Sequence, residues 1–310
     1  MQLLPIHLIL DELDWDSRKA LPVALELGFT DFGLRMFNQQ RYPDVNDEDQ
    51  RWLEDLYDRR ICRFDVISPG TNKDRFEADA AERFLREAMP LCLERARRLG
   101  VPEISLFSWA KADDALPPAP GANLSPSMPF DDIAACLRGA AEMAEAAGIT
   151  LTIEVGYQCW CDTGLGAEEL LRAIDHPAVR MLWDPVNSLS GRVWWQQRRA
   201  QPALITQPME ILLAELEQIA PLIAGVHVRD VVLEPTAWRY VLLGEGVVNW
   251  PELIAKLLQK GYRGSLTVEH HIQAPRKEEA TRHSLEYLKG VSKTCCSSRD
   301  GNILGCEGFS

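Results

Sequence analysis

Short apolar, β-branched runs recur along the chain, each followed by a longer segment whose apolar residues return every three to four positions. The runs are PIHLIL, DFGLRMF, RFDVISP, EISLFSW, TLTIEVG, VRMLWDP, IAGVHVRD and SLTVEHH. Helical patterning lies near Ser17 to Leu27, Glu48 to Arg59, Asp74 to Leu99, Phe130 to Ala147, Gly166 to Ile174, Ala203 to Ile219, Pro251 to Lys260 and Lys277 to Leu288. In the fourth of these, Ile133, Leu137, Ala140, Ala141 and Ala144 share one face, while Asp132, Arg138, Glu142 and Glu145 fall elsewhere. The seventh has Asn249 at its N-cap, Glu252 three residues on, Pro251 in the first turn and Gly261 as its stop. Eight strand and helix units of about thirty residues predict a single (β/α)8 TIM barrel, whose parallel strands are buried on both faces. An open doubly wound sheet is the alternative, but no glycine-rich dinucleotide or phosphate loop follows any strand. Beyond Val291 both periodicities stop in SKTCCSSRDGNILGCEGFS. The barrel domain is therefore expected over 1–291, with an irregular, non-barrel C-terminal tail over 292–310.

Alternation along a strand decides where its polar residues point. In TLTIEV, Leu151, Ile153 and Val155 face the helices, and Thr150, Thr152 and Glu154 face the barrel interior. SLTVE sends Thr267 and Glu269 inward, VRMLWDP places Asp184 inward at its end, and AGVHVRD does the same with His227. Four consecutive strands thus each deliver one polar group to the C-terminal mouth, where barrels keep their active sites. Three carboxylates crowded with one imidazole repel one another strongly in low dielectric, so a cation is implied among them. Glu154, Asp184, His227 and Glu269 make an oxygen-rich, single-nitrogen set suited to one hexacoordinate divalent ion. Mn2+ fits this set best, with Co2+, Fe2+, Mg2+ or Zn2+ as alternatives; a purely structural zinc would more often recruit thiolates. Each group alone has a plainer reading, as a salt-bridged glutamate or a hydrogen-bonded core histidine. Their placement on successive strands favours ligation.

Composition narrows the partners. The 310 residues are 46% hydrophobic and 25% charged, an ordinary globular mixture. A net charge of −13 argues against a nucleic-acid partner, which draws on clustered Lys and Arg. The N-terminal apolar run has no basic flank and turns acidic at once, so a first strand is expected there and not a signal peptide. No stretch is apolar for long enough to span a bilayer, and no membrane partner is expected. Cys62, Cys92 and Cys136 are scattered singly, as in a reduced, cytoplasmic protein. Cys159 and Cys161 in CWCD read as loop thiols beyond Glu154.

At these residues the sequence resembles the sugar phosphate isomerase/epimerase superfamily of xylose isomerase-like TIM barrels. The motifs IEVG, DTG with ELLRAIDHPAVRMLWDPVN, GVHVRD, and LLGEGVVNWPELIAKLLQKGYRGSLTVE carry it, in order, across the C-terminal half of the barrel. The N-terminal half matches in strand rhythm only. The resemblance implies that Glu154, Asp184, His227 and Glu269 bind one divalent metal. From the ketose epimerase branch it implies that Glu154 and Glu269 are the catalytic acid/base pair. Some relatives carry a histidine three residues after the strand-six aspartate; this chain has Asn187, a weaker ligand read as a hydrogen-bonding orienter. The endonuclease branch needs histidines at the ends of strands three and four, where Ser68 and Ser108 stand, which argues against DNA cleavage.

The expected activity is a metal-dependent isomerase or epimerase that abstracts a proton alpha to a carbonyl through an enediolate. A lyase or dehydratase acting on a polyol, keto-sugar or activated glycoside is the runner-up, and a non-catalytic sugar-binding barrel is third. Substrate contacts are expected from Asn187, Arg229, Trp109, Tyr157 and His271. Arg229 has a second reading, as the neutraliser of Asp230 or of a metal carboxylate. Gly244 and Gly246 could bring backbone close to the substrate or simply shape a turn. The loops Phe37 to Val45 and Lys111 to Pro129 shape the pocket and match nothing diagnostic, so a sugar or polyol is expected without its identity. A homo-oligomer is left open.

Overall fold

In the computed structural model, which describes residues 4–111, 129–198, 205–234 and 237–297, the eight apolar runs form eight parallel strands. They are β1 (Ile6–Ile9), β2 (Asp31–Leu34), β3 (Arg63–Ile67), β4 (Glu103–Leu106), β5 (Thr150–Glu154), β6 (Val179–Trp183), β7 (Ile223–Val228) and β8 (Ser265–Val268). Each pairs with its sequence neighbours, and β8 closes the ring onto β1 with Leu8 opposite Val268. Closure removes both sheet edges, so the strand backbones are satisfied around the circle. The outward residues Leu151, Ile153, Val226 and Leu266 are fully buried under helices.

The helices follow from the periodicity. Phe130–Ala146 buries Ile133, Leu137, Ala140, Ala141 and Ala144, the face that the pattern picks out. Trp250–Gln259 is capped by Asn249, whose side-chain oxygen accepts from the Glu252 N–H at 3.2 Å. The Glu252 carboxylate takes the Asn249 side-chain amide at 3.2 Å in place of the backbone N–H of a capping box. Gly261 follows at φ +86, the left-handed turn that ends the helix.

Four boundaries differ from the sequence expectation. The segment expected as helix from Asp74 begins at Ala78 and passes through a π-helical stretch at Phe84–Ala88. Pro90 follows at once; its ring would clash with the carbonyl four residues earlier, and a widened turn relieves that clash. A helix not expected from the sequence, Pro185–Arg198, starts directly after β6. The helix expected from Ala203 begins at Pro208, residues 199–204 lying outside the described residues. The last helix runs Lys277–Ser297, past the expected boundary at Val291, and residues 298–310 lie outside the described residues. Among the described residues no helix is long and apolar enough to cross a membrane.

Two antiparallel hairpins also rise from the C-terminal mouth. Met36–Phe37 pairs with Gln40–Arg41 after β2, and Asp230–Glu234 pairs with Ala237–Val241 after β7. Asp230 anchors the second one: its carboxylate accepts backbone N–H groups of Val231 (2.9 Å), Gly244 (3.0 Å), Gly246 (3.0 Å) and Val248 (3.1 Å). A Cβ on Gly246 would stand 2.1 Å from Asp230 Oδ1, so only glycine allows the approach. Gly244 and Gly246 therefore serve this carboxylate in the structure. Asp230→Asn, which turns one acceptor oxygen into a donor, should lower unfolding free energy by about 2 kcal/mol or more in denaturant titration.

The barrel interior is polar below its mouth as well. His7 pairs with Asp65, and Thr152 Oγ1 donates to Glu103 Oε1 at 2.8 Å. Burial pushes the Glu103 carboxyl up from its ordinary 4.5 to about 7, outweighing the Thr152 hydrogen bond. The native state thus holds a proton that the unfolded chain releases near 4.5, and stability is lost as pH rises from about 4.5 to about 7. Glu103→Gln keeps the acceptor for Thr152 without the charge. It should match the parent below pH 4.5 and exceed it by on the order of 2 kcal/mol at pH 8, read by unfolding at both pH values.

Candidate functional site

Strands β5 to β8 end at the mouth and bring Glu154, Asp184, His227 and Glu269 together, all four buried. One donor atom from each lies within 4.8 Å of the others. His227 Nδ1 stands 3.1 Å from Glu269 Oε2, 3.5 Å from Glu154 Oε1 and 4.0 Å from Asp184 Oδ2. Neither His227 Nδ1 nor Glu269 Oε2 is aligned in a hydrogen bond among the described residues, although both are buried. Donors around one ion at about 2.1 Å are spaced roughly 3 to 4 Å from one another, so the spacing and the two unaligned atoms fit a divalent ion. Three oxygens and one nitrogen also match a hard to borderline cation.

Asp184 is held from below. It caps the helix Pro185–Arg198, accepting the Asn187 N–H on Oδ1 at 2.9 Å, with Pro185 at the first helical position. The Asp-Pro pair is thus both the end of β6 and a helix start, and the second role is the signal that the strand pattern hides. Asn187 donates its side-chain amide to the Val155 carbonyl at 2.8 Å, which orients it beside Glu154.

Two arginines bring positive charge to this centre. The Arg229 guanidinium pairs with Asp184 and lies 3.3 Å from Glu269 Oε2, so it meets these carboxylates and not Asp230. Its Nε is buried with no hydrogen-bond partner among the described residues. Arg35, two residues past Gly33 on the same parity of β2, pairs with Glu269 Oε1, with Asp11 at 2.6 Å and with Glu12 at 2.6 Å. Burial alone would push the His227 imidazole down, yet Glu269 and Glu154 beside it hold it well above its ordinary value. Burial would likewise raise Glu269, but His227, Arg229 and His271 hold it well below the usual carboxylate range.

Other residues complete a cavity of 190 Å³ lined in part by Arg35, Glu154, Tyr157, Asn187, Arg229 and Glu269. Tyr157 packs edge-on against Trp238 of the hairpin at 5.1 Å. The Arg229 guanidinium lies over the ring of Tyr240 at 5.4 Å. His271 adopts φ +54; its N–H donates to Glu12 at 2.7 Å and its Nε2 reaches 3.6 Å from Glu269. Trp109 is a correction, since it does not line this cavity. It turns at φ +57 and packs edge-on against Phe76 (5.1 Å) and Phe84 (6.2 Å), where a left-handed residue swings its ring into the apolar core. Phe107 takes the wall position instead. Cys159 and Cys161 are buried thiols pushed up to about 12 by burial, unsuited to ligation as thiolates. Ser108 accepts the Cys161 N–H at 2.8 Å and so ties that loop down.

Glu12, Lys73 and Tyr240 escape the strand-end pattern because they sit in a 3-10 turn, a loop and a hairpin; the parity of Arg35 with Gly33 and of Phe107 with Ser105 could have flagged the other two lining residues. Residues 112–128, in the other expected pocket loop, lie outside the described residues. Glu12, Glu269 and His271 make a second acidic set, but the Arg35 guanidinium already bridges its carboxylates. A roomier hollow of 660 Å³ lies against Thr30, Tyr57 and Arg60 to Arg63, at the N-terminal end of the barrel. No imidazole lines it, and barrel chemistry belongs to the opposite face.

A family profile described as xylose isomerase-like TIM barrel matches residues 21–291. Among solved structures, a xylose isomerase-like TIM barrel protein from Mycobacterium smegmatis in complex with magnesium shares 18% identity at a TM-score of 0.69, covering 95% of this chain and 99% of that one. D-allulose 3-epimerase from Methylomonas sp. shares 18% identity at a TM-score of 0.65, with 94% and 99% covered. 3-Keto-D-glucoside 4-epimerase from E. coli shares 15% identity at a TM-score of 0.63, with 93% and 99% covered. A search of curated protein sequences found no match. With its closed eight-stranded barrel and a family match over most of its length, the chain belongs to the xylose isomerase-like TIM barrel family.

Proposed function

We propose that the protein is a divalent-metal-dependent isomerase or epimerase of a sugar, with Glu154 and Glu269 as its acid/base pair. The supporting observation is the buried convergence of Glu154, Asp184, His227 and Glu269 around unaligned donor atoms. A divalent ion held by these four groups, Mn2+ by preference, would supply Lewis-acid stabilisation of the negative charge that builds on substrate oxygens as the carbon loses its proton.

The remaining chemistry belongs to the chain. Glu154 on β5 and Glu269 after β8 enter the cavity from separate strands, so a proton taken by one carboxylate can be returned by the other. Return to the same carbon with inversion gives epimerisation; return to the neighbouring carbon, with a proton moved between the two oxygens, gives isomerisation. Arg35 fixes one oxygen of Glu269 and leaves Oε2 facing the centre. The free Nε of Arg229 is a donor for a substrate oxygen, and Asn187 keeps the floor of the cavity in place. Tyr157 and Phe107 supply apolar wall that limits water at the reacting carbon. The epimerases of D-allulose and of 3-keto-D-glucoside among its structural neighbours support a carbohydrate substrate. Elimination is the second reading, favoured by His271, an extra proton donor 3.6 Å from Glu269 that a departing hydroxyl could use.

Elemental analysis of protein reconstituted with Mn2+ should find one ion per chain. That protein should incorporate solvent deuterium into at least one member of a ketose and inosose panel; loss of water by mass spectrometry would mark the lyase instead. Chelation should abolish the exchange and lower the melting temperature, and added Mn2+ should restore both. Glu154→Gln and Glu269→Gln should each lower kcat by about 10² to 10⁴. Exchange that survives in both variants, or a chain that takes up no divalent ion, would overturn the assignment.

A further inference from the structure

The cavity at the carboxylate cluster opens sideways into a second one of 290 Å³, the two sharing Arg35, Lys73 and His271. This side compartment lies at the mouth of β1, β2 and β8 and is lined also by Asp11, Glu12, Arg41 and Lys277. Its charge runs against that of the chain as a whole, which carries −13. Asp11 and Glu12 are spoken for by Arg35. The other three cations have no carboxylate partner among the described residues. Lys73 rests its ammonium over the ring of Phe107 at 4.0 Å, Lys277 donates to the Asp11 carbonyl at 2.5 Å, and Arg41 reaches only the Pro69 carbonyl, at 3.4 Å.

These positions are built. Gly70, at φ +62, leaves room for the Arg41 guanidinium: a Cβ there would stand 1.7 Å from Nη1. Lys277 is buried, with its ammonium also over Trp15 at 4.6 Å. The lining gathers four cations against the two carboxylates Asp11 and Glu12, and this excess of positive charge costs mutual repulsion in a protein with many acids available to relieve it. At 190 Å³ the cavity at the carboxylates is smaller than the roughly 300 to 1,000 Å³ usual for small-molecule sites, and only joined to its neighbour does it reach that range.

We propose that the side compartment binds an anionic terminal group, a phosphate or a carboxylate, on the substrate whose reacting carbon lies between Glu154 and Glu269. Arg41 and Lys73 take the anion's oxygens, Lys277 adds charge from beneath, and the acidic surroundings disfavour anions elsewhere. This assignment rests on the sugar-converting reading of the carboxylate site, and it narrows the substrate to an acidic or phosphorylated keto-sugar. The shared chemistry is anion recognition by charge-assisted hydrogen bonds, in which a guanidinium presents two parallel donors and an ammonium a point charge.

The test is calorimetric titration of the full chain, loaded with Mn2+, with D-fructose, D-fructose 6-phosphate and D-fructuronate in parallel. At least one anionic member should bind about tenfold or more tightly than D-fructose, and which one it is separates phosphate from carboxylate. The preference should shrink with added salt and collapse to within about twofold in Arg41→Gln/Lys73→Gln, while Arg41→Lys/Lys73→Arg retains most of it. Both side chains are exposed, and a matched unfolding curve checks that the variants fold. Equal binding of all three sugars, no binding of either anion, or a preference that survives the double Gln variant would overturn the proposal. Deuterium exchange is read separately on the same samples. Anion-selective binding without exchange would sink the isomerase reading and leave the anion site standing, and exchange into neutral D-fructose without anion preference would do the reverse.

Discussion

Three carboxylates at the mouth of one barrel must be met by positive charge, and much of the upper half of the molecule is arranged to meet it. Glu154, Asp184 and Glu269 are buried within reach of one imidazole, so water screens little of their repulsion. His227 sits among them with its pKa drawn upward, Arg229 closes on Asp184, and Arg35 gathers Glu269 with Asp11 and Glu12. A divalent ion among the same donors would displace the His227 proton, because an imidazole ligates only in its neutral form. The cluster is therefore anchored on every side, while His227 Nδ1 and Glu269 Oε2 at its centre are aligned in no hydrogen bond among the described residues.

The surrounding fold keeps those carboxylates in register. Asp184 is fixed by capping the helix that follows it, Glu269 by Arg35, and Arg229 by the residues next to it: its carbonyl accepts the Trp250 indole N–H at 3.1 Å, and Asp230 is tied by four backbone N–H groups. The hairpin rooted at Asp230 then carries Trp238 and Tyr240 over the site as a wall. Such restraint matters because charged groups in a low-dielectric site gain or lose strongly with small displacements. The polar layer beneath, with Glu103, Thr152, His7 and Asp65, is less favourable for stability; the raised pKa of Glu103 is the direct sign of that burial.

Kinship and chemistry stand on different ground here. The family match over residues 21–291 and the closed strand order establish what kind of barrel this is. At 15 to 18% identity, the structural neighbours share its architecture, and one such fold hosts many reactions. The chemistry proposed for this chain rests on its own side chains: the acidic cluster at the strand ends, and the cations beside it.

The eight strands, most of the helices and the four strand-end groups were legible in the sequence, since each rests on a local rule. Period-two alternation sends Glu154, His227 and Glu269 inward whatever the rest of the chain does, and the Asn249 cap is a contact across three residues. Where local geometry broke, the expectation broke with it: Trp109 leaves its strand in a left-handed conformation and turns into the core, and Asp184 starts a helix where only a strand end was expected. The sequence by itself therefore determined the barrel and the carboxylates that face its mouth. Only the tertiary structure decided which distant cations meet them. Arg35 meets Glu269 from the hairpin after β2, Arg41 and Lys73 stand beside it on the segments after β2 and β3, and closure of the ring, β8 against β1, adds Lys277 to the same rim.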